Sequence, residues 1–225
     1  MNNALILTGA GRYADPWHPF EQTSTCLAEL LAGQGFDVEI TGDVDARMAG
    51  LSTQHPDLLV VNVGDPALNS PDAPERSAEA RGRDGLLAYL ERGGALLGMH
   101  TASTSFRGVP EWKQILGGIW VRGQSFHPDY TRFPVTLRPE TEGITVGLRD
   151  FDVEDEAYTH LDYADTNSVL AETVIDSETV PLAWRRTYGS AHARVVYDAL
   201  GHDTASYDSV GHRVLLQRCV RWLVP

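Results

Sequence analysis

The first half of the chain alternates short apolar runs with segments of helical periodicity. Apolar runs at Ala4–Thr8, Leu58–Val63 and Ala95–Met99 predict buried parallel strands, because a strand covered on both faces needs apolar side chains on both. Apolar residues near helical spacing predict a helix over Phe20–Ala32, and alternation predicts a strand over Phe36–Thr41. A further helix ends before a Gly-Gly pair, so the β-α-β-α-β order predicts an α/β fold: a mainly parallel sheet with helices on both faces.

The second half of the chain has a less regular pattern. Short apolar or alternating segments predict partly antiparallel strands at Phe133–Leu137, Val169–Thr173, Val180–Trp184 and Arg194–Tyr197. A short helix is predicted at Trp112–Leu116, and an apolar stripe predicts a closing helix at Ser209–Leu223. No repeat, low-complexity tract or linker interrupts residues 1–225, which we interpret as one domain.

The segment from Gly64 to Gly85 combines three prolines with a charged run. Part of this segment begins the helix that ends at Leu90. The remainder is predicted to be a loop, and loops of this length are typical of lids and binding segments.

Charge and composition narrow the class of partner. The 225 residues include 18 Lys+Arg and 31 Asp+Glu, a formal net charge of −13, which disfavours nucleic acid and anionic membranes. No apolar run is long enough to span a membrane, and the N-terminus lacks a basic region, so we expect a cytoplasmic protein. Cys26 and Cys219 are predicted to be buried thiols. A small-molecule partner is expected, and a homo-oligomer is left open.

Four polar segments should meet at the carboxyl edge of the predicted sheet. They are Gly9–Arg12, Gly64-Asp65, His100-Thr101 and Gly201–Asp203. His100 follows a strand directly and lies between small residues, as the nucleophile of a strand–turn–helix elbow does. Imidazole can act there as an acid, a base or a metal ligand, and His202 follows a later strand at the same edge. The Gly9-x-Gly11 pair lacks the remainder of a dinucleotide fingerprint, and no P-loop sequence is present.

An acidic segment provides the second candidate group. Glu156, Tyr158 and His160 alternate, so in a strand all three would face one way. The alternative is a solvated acidic edge that includes Asp155. Among the other histidines, His18 and His127 lie in loops. The solvent-exposed surface is the expected place for His55, His192 and His212.

A divalent metal, zinc or a similar ion, is a further hypothesis. No cofactor is certain, because no HExxH motif or His-x-His pair is present. Imidazole and carboxylate ligands would form a plausible site if they converged. The candidate ligands are His18, His100, His127, Glu156 and His202.

Several segments, taken in order, resemble one known family. They read LILTGAG, DLLVVNV, GGALLGMHTA, WKQILGG, SFHPDY, DEAY, PLAWRRTYG and RVVYDALGHD. From about Leu5 to Trp222 the chain resembles the ThuA-like (trehalose utilisation) family. The resemblance implies a three-layer, flavodoxin-like fold similar to that of class I glutamine amidotransferases. It places His100 where those enzymes have their cysteine and makes His202 correspond to their histidine. It also matches Asp155-Glu156-x-Tyr158 and His127-Pro128 to family motifs.

The family is associated with trehalose and related sugars, so two functions are considered. In the first, an enzyme acts on a sugar or keto-sugar, with His100, His202 and Glu156 as catalytic groups that transfer protons or hold a metal. The predicted substrate-binding residues are His18, His127, Tyr158, Asp65 and Thr101. The acidic net charge favours a neutral sugar over a phosphorylated one. In the second, the chain is a non-catalytic sugar-binding or regulatory protein. An active glutaminase would need a thiol at the elbow, and both cysteines fall on predicted helices.

Overall fold

The structure is a computed structural model, and it describes residues 1–66, 76–141 and 143–225. A nine-stranded sheet has the order β2-β1-β3-β4-β11-β10-β9-β6-β7. Its strands are β1 (Asn3–Thr8), β2 (Asp37–Thr41), β3 (Leu58–Asn62), β4 (Ala95–Met99), β6 (Thr131–Leu137), β7 (Phe151–Asp155), β9 (Ser168–Ile175), β10 (Glu178–Tyr188) and β11 (Ala193–Asp198). Two short strands, β5 (Gly118–Ile119) and β8 (Asp162–Tyr163), pair separately.

Strand direction divides the sheet into two parts. The neighbours from β2 to β11 are parallel, and the neighbours from β11 to β7 are antiparallel. Strands β6 and β10 therefore run against all the others. The predicted α/β class with a mainly parallel sheet is confirmed, and so are antiparallel strands in the second half.

Helices cover both faces of the sheet. They are α1 (Phe20–Ala32), α2 (Val44–Gly50), α3 (Arg76–Glu91), α4 (Trp112–Leu116), α5 (Thr204–Asp208) and α6 (Val210–Leu223), with 3₁₀ turns at Gly11–Tyr13 and His100–Ser103. Alternate residues of each strand enter different apolar cores: Ile6 packs in the core with α1 and α6, whereas Leu7 packs in the core with α2, α3 and α4. This alternation gives the predicted three layers.

Several elements differ from the sequence prediction, including helix α5 and the short strands β5 and β8, which were not predicted. Helix α2 was not predicted, and strand β7 was interpreted only as part of an acidic run. In β7, Asp152 and Glu154 face solvent while Val153 and Asp155 are buried. The strand lies at the edge of the sheet, where alternate acidic side chains remain solvated, and this hides its apolar face in the sequence.

The predicted long loop falls partly outside the described residues. Helix α3 begins at Arg76 and continues past Leu90, as the charged run suggested. Residues 67–75, where the loop was predicted, are not described. Within the described ranges, no helix is both long and apolar enough to span a bilayer.

Candidate functional site

The carboxyl ends of β1, β3, β4 and β11 deliver their loops to one edge, because these strands are parallel. A cavity of about 540 Å³ opens there. Its lining is formed by Asp15, Trp17, His18, Asp65, Thr101, Thr104, Arg107, Trp120, Arg122, His127, Glu156, Tyr158 and His202. The structure thus brings all the predicted substrate-binding residues to one cavity, and His100 packs against Tyr158 in its lining.

His100 occupies the turn that follows β4. Its backbone has a φ of 38°, a left-handed conformation that is uncommon for residues other than glycine. The ring is buried, and its Nδ1 lies 2.6 Å from the carbonyl oxygen of Ala199. Since a carbonyl oxygen can only accept, Nδ1 carries a proton in this contact. The side chain of Tyr158 packs against this ring, with centroids 4.1 Å apart.

Four of the predicted residues form a compact set of donor atoms. One ring nitrogen or carboxylate oxygen from each of His18, His100, Glu156 and His202 lies within 4.8 Å of all the others. Glu156 Oε2 is 3.2 Å from His202 Nδ1 and 3.7 Å from His100 Nε2. We call these four side chains the imidazole–carboxylate cluster. Residues far apart in the chain therefore meet at one point.

Three buried nitrogens of this cluster make no aligned hydrogen bond with the residues described. They are Nε2 of His18, Nε2 of His100 and Nδ1 of His202. A buried polar atom without a partner costs about 1–3 kcal/mol, so such atoms gathered at one place indicate a group that the protein is built to receive.

The pKa values of the cluster residues shift in different directions. Burial would raise the pKa of Glu156, but the hydrogen bonds and charges of His100 and His202 outweigh it and hold that pKa well below its usual value. Burial would lower the pKa of His202, but the Glu156 carboxylate raises it overall. Burial lowers the pKa of His18 despite its contact with Asp15. The geometry favours an ionised Glu156, a protonated His202 and a neutral His18.

Two buried carboxylates hold the loops that carry the cluster. Asp155 accepts backbone N–H bonds from Glu156 (2.7 Å), Gly201 (2.7 Å) and His202 (3.2 Å). Asp15 lies 2.8 Å from Nδ1 of His18. Such a carboxylate–imidazole contact directs Nε2 of His18 toward the cluster, as the outer partners of metal-binding histidines do.

The donor set suits a divalent metal. Donors around one ion with bonds of about 2 Å lie roughly 3–4 Å apart, close to the spacing of the cluster. Imidazole and carboxylate ligands are typical of catalytic zinc and related ions. Of the five predicted ligands, four are in the cluster. His127 is more exposed, with Nδ1 3.6 Å from Glu156 Oε1 and 2.9 Å from the carbonyl oxygen of Pro128.

Three sequence interpretations are corrected by the structure. His160 does not face the same way as Glu156 and Tyr158, because the chain leaves β7 after Asp155 and turns; His160 is exposed and packs against Phe126. Asp155 is fully buried rather than solvated, since backbone N–H groups surround it. His212 is also fully buried, paired with Asp198.

Several cavity residues were missed in the sequence. They are Asp15, Trp17, Thr104, Arg107, Trp120 and Arg122. The three-residue spacing of Asp15 and His18 around Pro16 was an available signal, because Asp readily accepts N–H bonds from a following turn. The two arginines lie in loops, where the sequence carries no equivalent signal.

Comparisons with known proteins identify the family and the fold. The model of the ThuA family, described as trehalose utilisation, matches residues 3–223. A ThuA-like protein from Parabacteroides merdae superposes with a TM-score of 0.77 at 20% identity, covering 99% of this chain and 90% of that one. A ThuA-like protein from Bacteroides uniformis gives 0.74 at 21% identity, covering 99% and 91%.

More distant structures share the fold alone. A glutamine amidotransferase from Thermotoga maritima superposes with a TM-score of 0.58 at 8% identity, covering 99% of this chain and 98% of that one. No curated protein matches the chain.

Proposed function

Because the chain belongs to the ThuA family of trehalose utilisation, we propose that it is an enzyme that acts on a sugar or keto-sugar in this cavity. The observation that carries the proposal is the convergence of His18, His100 and His202 on Glu156, where three buried imidazole nitrogens lack an aligned hydrogen bond with the described residues. A buried cluster of this kind destabilises the fold unless it serves a ligand.

The environment of each side chain suggests its role. Glu156 has a lowered pKa, so it remains ionised and stabilises positive charge rather than accepting a proton. His202 has a raised pKa and can donate a proton near neutral pH. Nδ1 of His100 donates its proton to the carbonyl oxygen of Ala199, which leaves Nε2 as the ring nitrogen that would exchange a proton with a substrate hydroxyl or carbon.

In the alternative arrangement, a divalent metal such as zinc would be held by His18, His100, Glu156 and His202, and these imidazoles would then be ligands rather than acid and base. Such an ion polarises a carbonyl or lowers the pKa of a bound water. The carboxylate of Asp15 would keep His18 oriented toward it. The remaining predicted residues, His127 and Tyr158, would then position hydroxyl groups of the sugar.

The cavity suits a carbohydrate in size and lining. Its volume of about 540 Å³ falls within the roughly 300–1,000 Å³ of small-molecule sites. Trp17 and Trp120 offer ring faces, and Asp65, Thr101 and Thr104 offer polar groups. Neither cysteine lines the cavity, since Cys26 lies in α1 and Cys219 in α6. The site therefore lacks the nucleophile that a glutaminase needs.

The test is turnover of oxidised disaccharides by the His100→Ala and His202→Ala variants. Each substitution should reduce kcat/KM by about 100-fold or more, the usual contribution of a positioned acid or base. His192→Ala, at an exposed position, serves as the control and should leave turnover unchanged. Unchanged rates in both site variants would overturn the proposal.

The contribution of a metal is tested by elemental analysis of the purified protein before and after chelation. A stoichiometric divalent ion that is lost in His100→Ala would assign the cluster as its site. Sugar binding without turnover, unaffected by His100→Ala, would instead support the non-catalytic binding protein.

A further inference from the structure

A second charged group lies on the wall of the same cavity, apart from the imidazole–carboxylate cluster. The Asp65 carboxylate, almost completely buried after β3, accepts from two arginines through a single oxygen. Arg107 Nε lies 2.8 Å from Asp65 Oδ2, and Arg122 Nη2 lies 2.7 Å from it. All three side chains line the cavity. We call them the arginine pair and its carboxylate.

The charges in this group do not cancel. Two guanidinium groups and one carboxylate leave one positive charge, and arginine stays protonated at any physiological pH. In a chain with a net charge of −13, such a local excess of positive charge is conspicuous.

The two arginines also have more N–H donors than the described residues accept. A guanidinium carries five N–H donors. Arg107 gives one to Asp65 and a longer one, 3.3 Å, to the carbonyl oxygen of Trp120. Arg122 gives one to Asp65. Because Asp65 holds both side chains in place, their remaining donors are oriented before any ligand arrives, which lowers the entropic cost of binding.

We propose that the substrate carries an anionic group, a carboxylate or a phosphate ester, that binds to Arg107 and Arg122. The sugar portion would extend from there toward the imidazole–carboxylate cluster; this part rests on the proposed function. Planar guanidinium groups match carboxylate and phosphate oxygens with paired N–H bonds, which neutral hydroxyls do not reproduce.

This proposal reverses the expectation that net charge favours a neutral sugar. Net charge describes the field averaged over the whole surface, whereas recognition depends on the groups within hydrogen-bonding reach of the ligand. Two arginines brought together from separate loops can attract an anion into a protein that is acidic elsewhere.

The experiment compares three matched probes by calorimetric titration: trehalose, the same disaccharide with one 6-hydroxymethyl group oxidised to a carboxylate, and trehalose 6-phosphate. At least one anionic probe should bind about tenfold or more tightly than trehalose. This is the gain in affinity expected from one charge-assisted hydrogen-bonded pair. The preference should shrink as NaCl is raised from about 50 to about 300 mM, because both arginines are partly exposed. The tighter anionic probe distinguishes carboxylate from phosphate.

Substitutions of Arg107 and Arg122 test whether these two residues cause the preference for the anionic probe. In Arg107→Gln/Arg122→Gln the preference should fall to about threefold or less, while trehalose binding changes little. Arg107→Lys should retain part of it, since lysine keeps the charge and loses the planar fork. Lys113→Gln is the control, because Lys113 is exposed and pairs with Asp162 outside this cavity. Thermal unfolding of each variant verifies that it is folded.

Equal binding of the three probes, no binding by any of them, or a preference that survives the double substitution would overturn the proposal. His202→Ala should keep the preference while losing turnover. Failure of the proposed catalytic function is thereby distinguished from failure of the anion site.

Discussion

His100 combines a strained backbone with a buried imidazole ring. Its left-handed φ of 38° costs of order 1–3 kcal/mol, and its buried ring packs against Tyr158, which lines the cavity. Replacing His100 with asparagine keeps the backbone conformation and removes the imidazole. Asparagine tolerates a positive φ, and its amide can donate to Ala199 as Nδ1 does.

We expect His100→Asn to unfold within a few degrees of the wild-type temperature while losing about 100-fold or more in kcat/KM. His100→Ala should show the same loss of turnover with lower stability, since it leaves Ala199 without its donor. Thermal unfolding and turnover are measured side by side. An active His100→Asn would show that Nε2 of this ring is not needed.

His212, which lies outside the cavity lining, should make the stability of the fold depend on pH. Both of its ring nitrogens face acceptors: Nε2 lies 3.1 Å from Asp198 and Nδ1 lies 3.0 Å from the carbonyl oxygen of Ser206. Burial would lower the pKa of His212, but the charge and hydrogen bond of Asp198 raise it overall.

A histidine with a raised folded pKa stabilises the native state fully below its unfolded pKa of about 6.5, and this contribution is lost as pH rises through the folded pKa. The wild type should therefore exceed His212→Gln in unfolding free energy most at about pH 6, and the difference should decrease toward pH 9. Urea titrations across this range measure it. His192→Gln, exposed, should give a difference that does not vary with pH; a wild-type advantage that grows with pH would contradict the assignment.

Strand β7 and the loop after β11 depend on one another through Asp155. This carboxylate ends one strand and accepts N–H bonds from Gly201 and His202 beyond the other. It therefore sets the backbone positions of both Glu156 and His202, the residues proposed to be catalytic.

We expect Asp155→Asn to lower the unfolding free energy by about 2–4 kcal/mol, because an amide nitrogen would face N–H donors inside the protein. Turnover should fall as well, mainly through kcat, since the catalytic side chains lose their alignment. Asp152→Asn is a matched control on the same strand; its pair with Arg132 is exposed, so its effect should stay below about 0.5 kcal/mol. Comparable losses in the two variants would remove the special role of Asp155.

The molecule as a whole is built on one sheet. The parallel and antiparallel parts join where β11 pairs with β10, and the core that contains Leu97 of β4 also contains Val135 of β6. A shared core of this kind favours one cooperative unfolding transition, and the single domain predicted from the sequence would unfold in the same way.

Urea unfolding followed by circular dichroism, tryptophan fluorescence and thiol labelling should give coincident midpoints. Cys219 is suited to the labelling because it is completely buried in α6, where burial raises the pKa of its thiol, so it should react only in the unfolded state. Cys26 is partly exposed and serves as the internal comparison. Two separated midpoints would indicate independently folding parts.

The amino-acid pattern alone predicted the parallel half of the sheet and the edge at which the candidate site lies. Apolar runs such as Leu58–Val63 have few alternatives to a buried strand, and parallel strands must end together, so His100 and His202 were predicted to be neighbours. Only the tertiary structure decided the directions of side chains in the loops. The turn after Asp155 sends His160 away from Glu156, and two loops bring Arg107 and Arg122 to Asp65. Such contacts join residues distant in the chain, so no local periodicity records them.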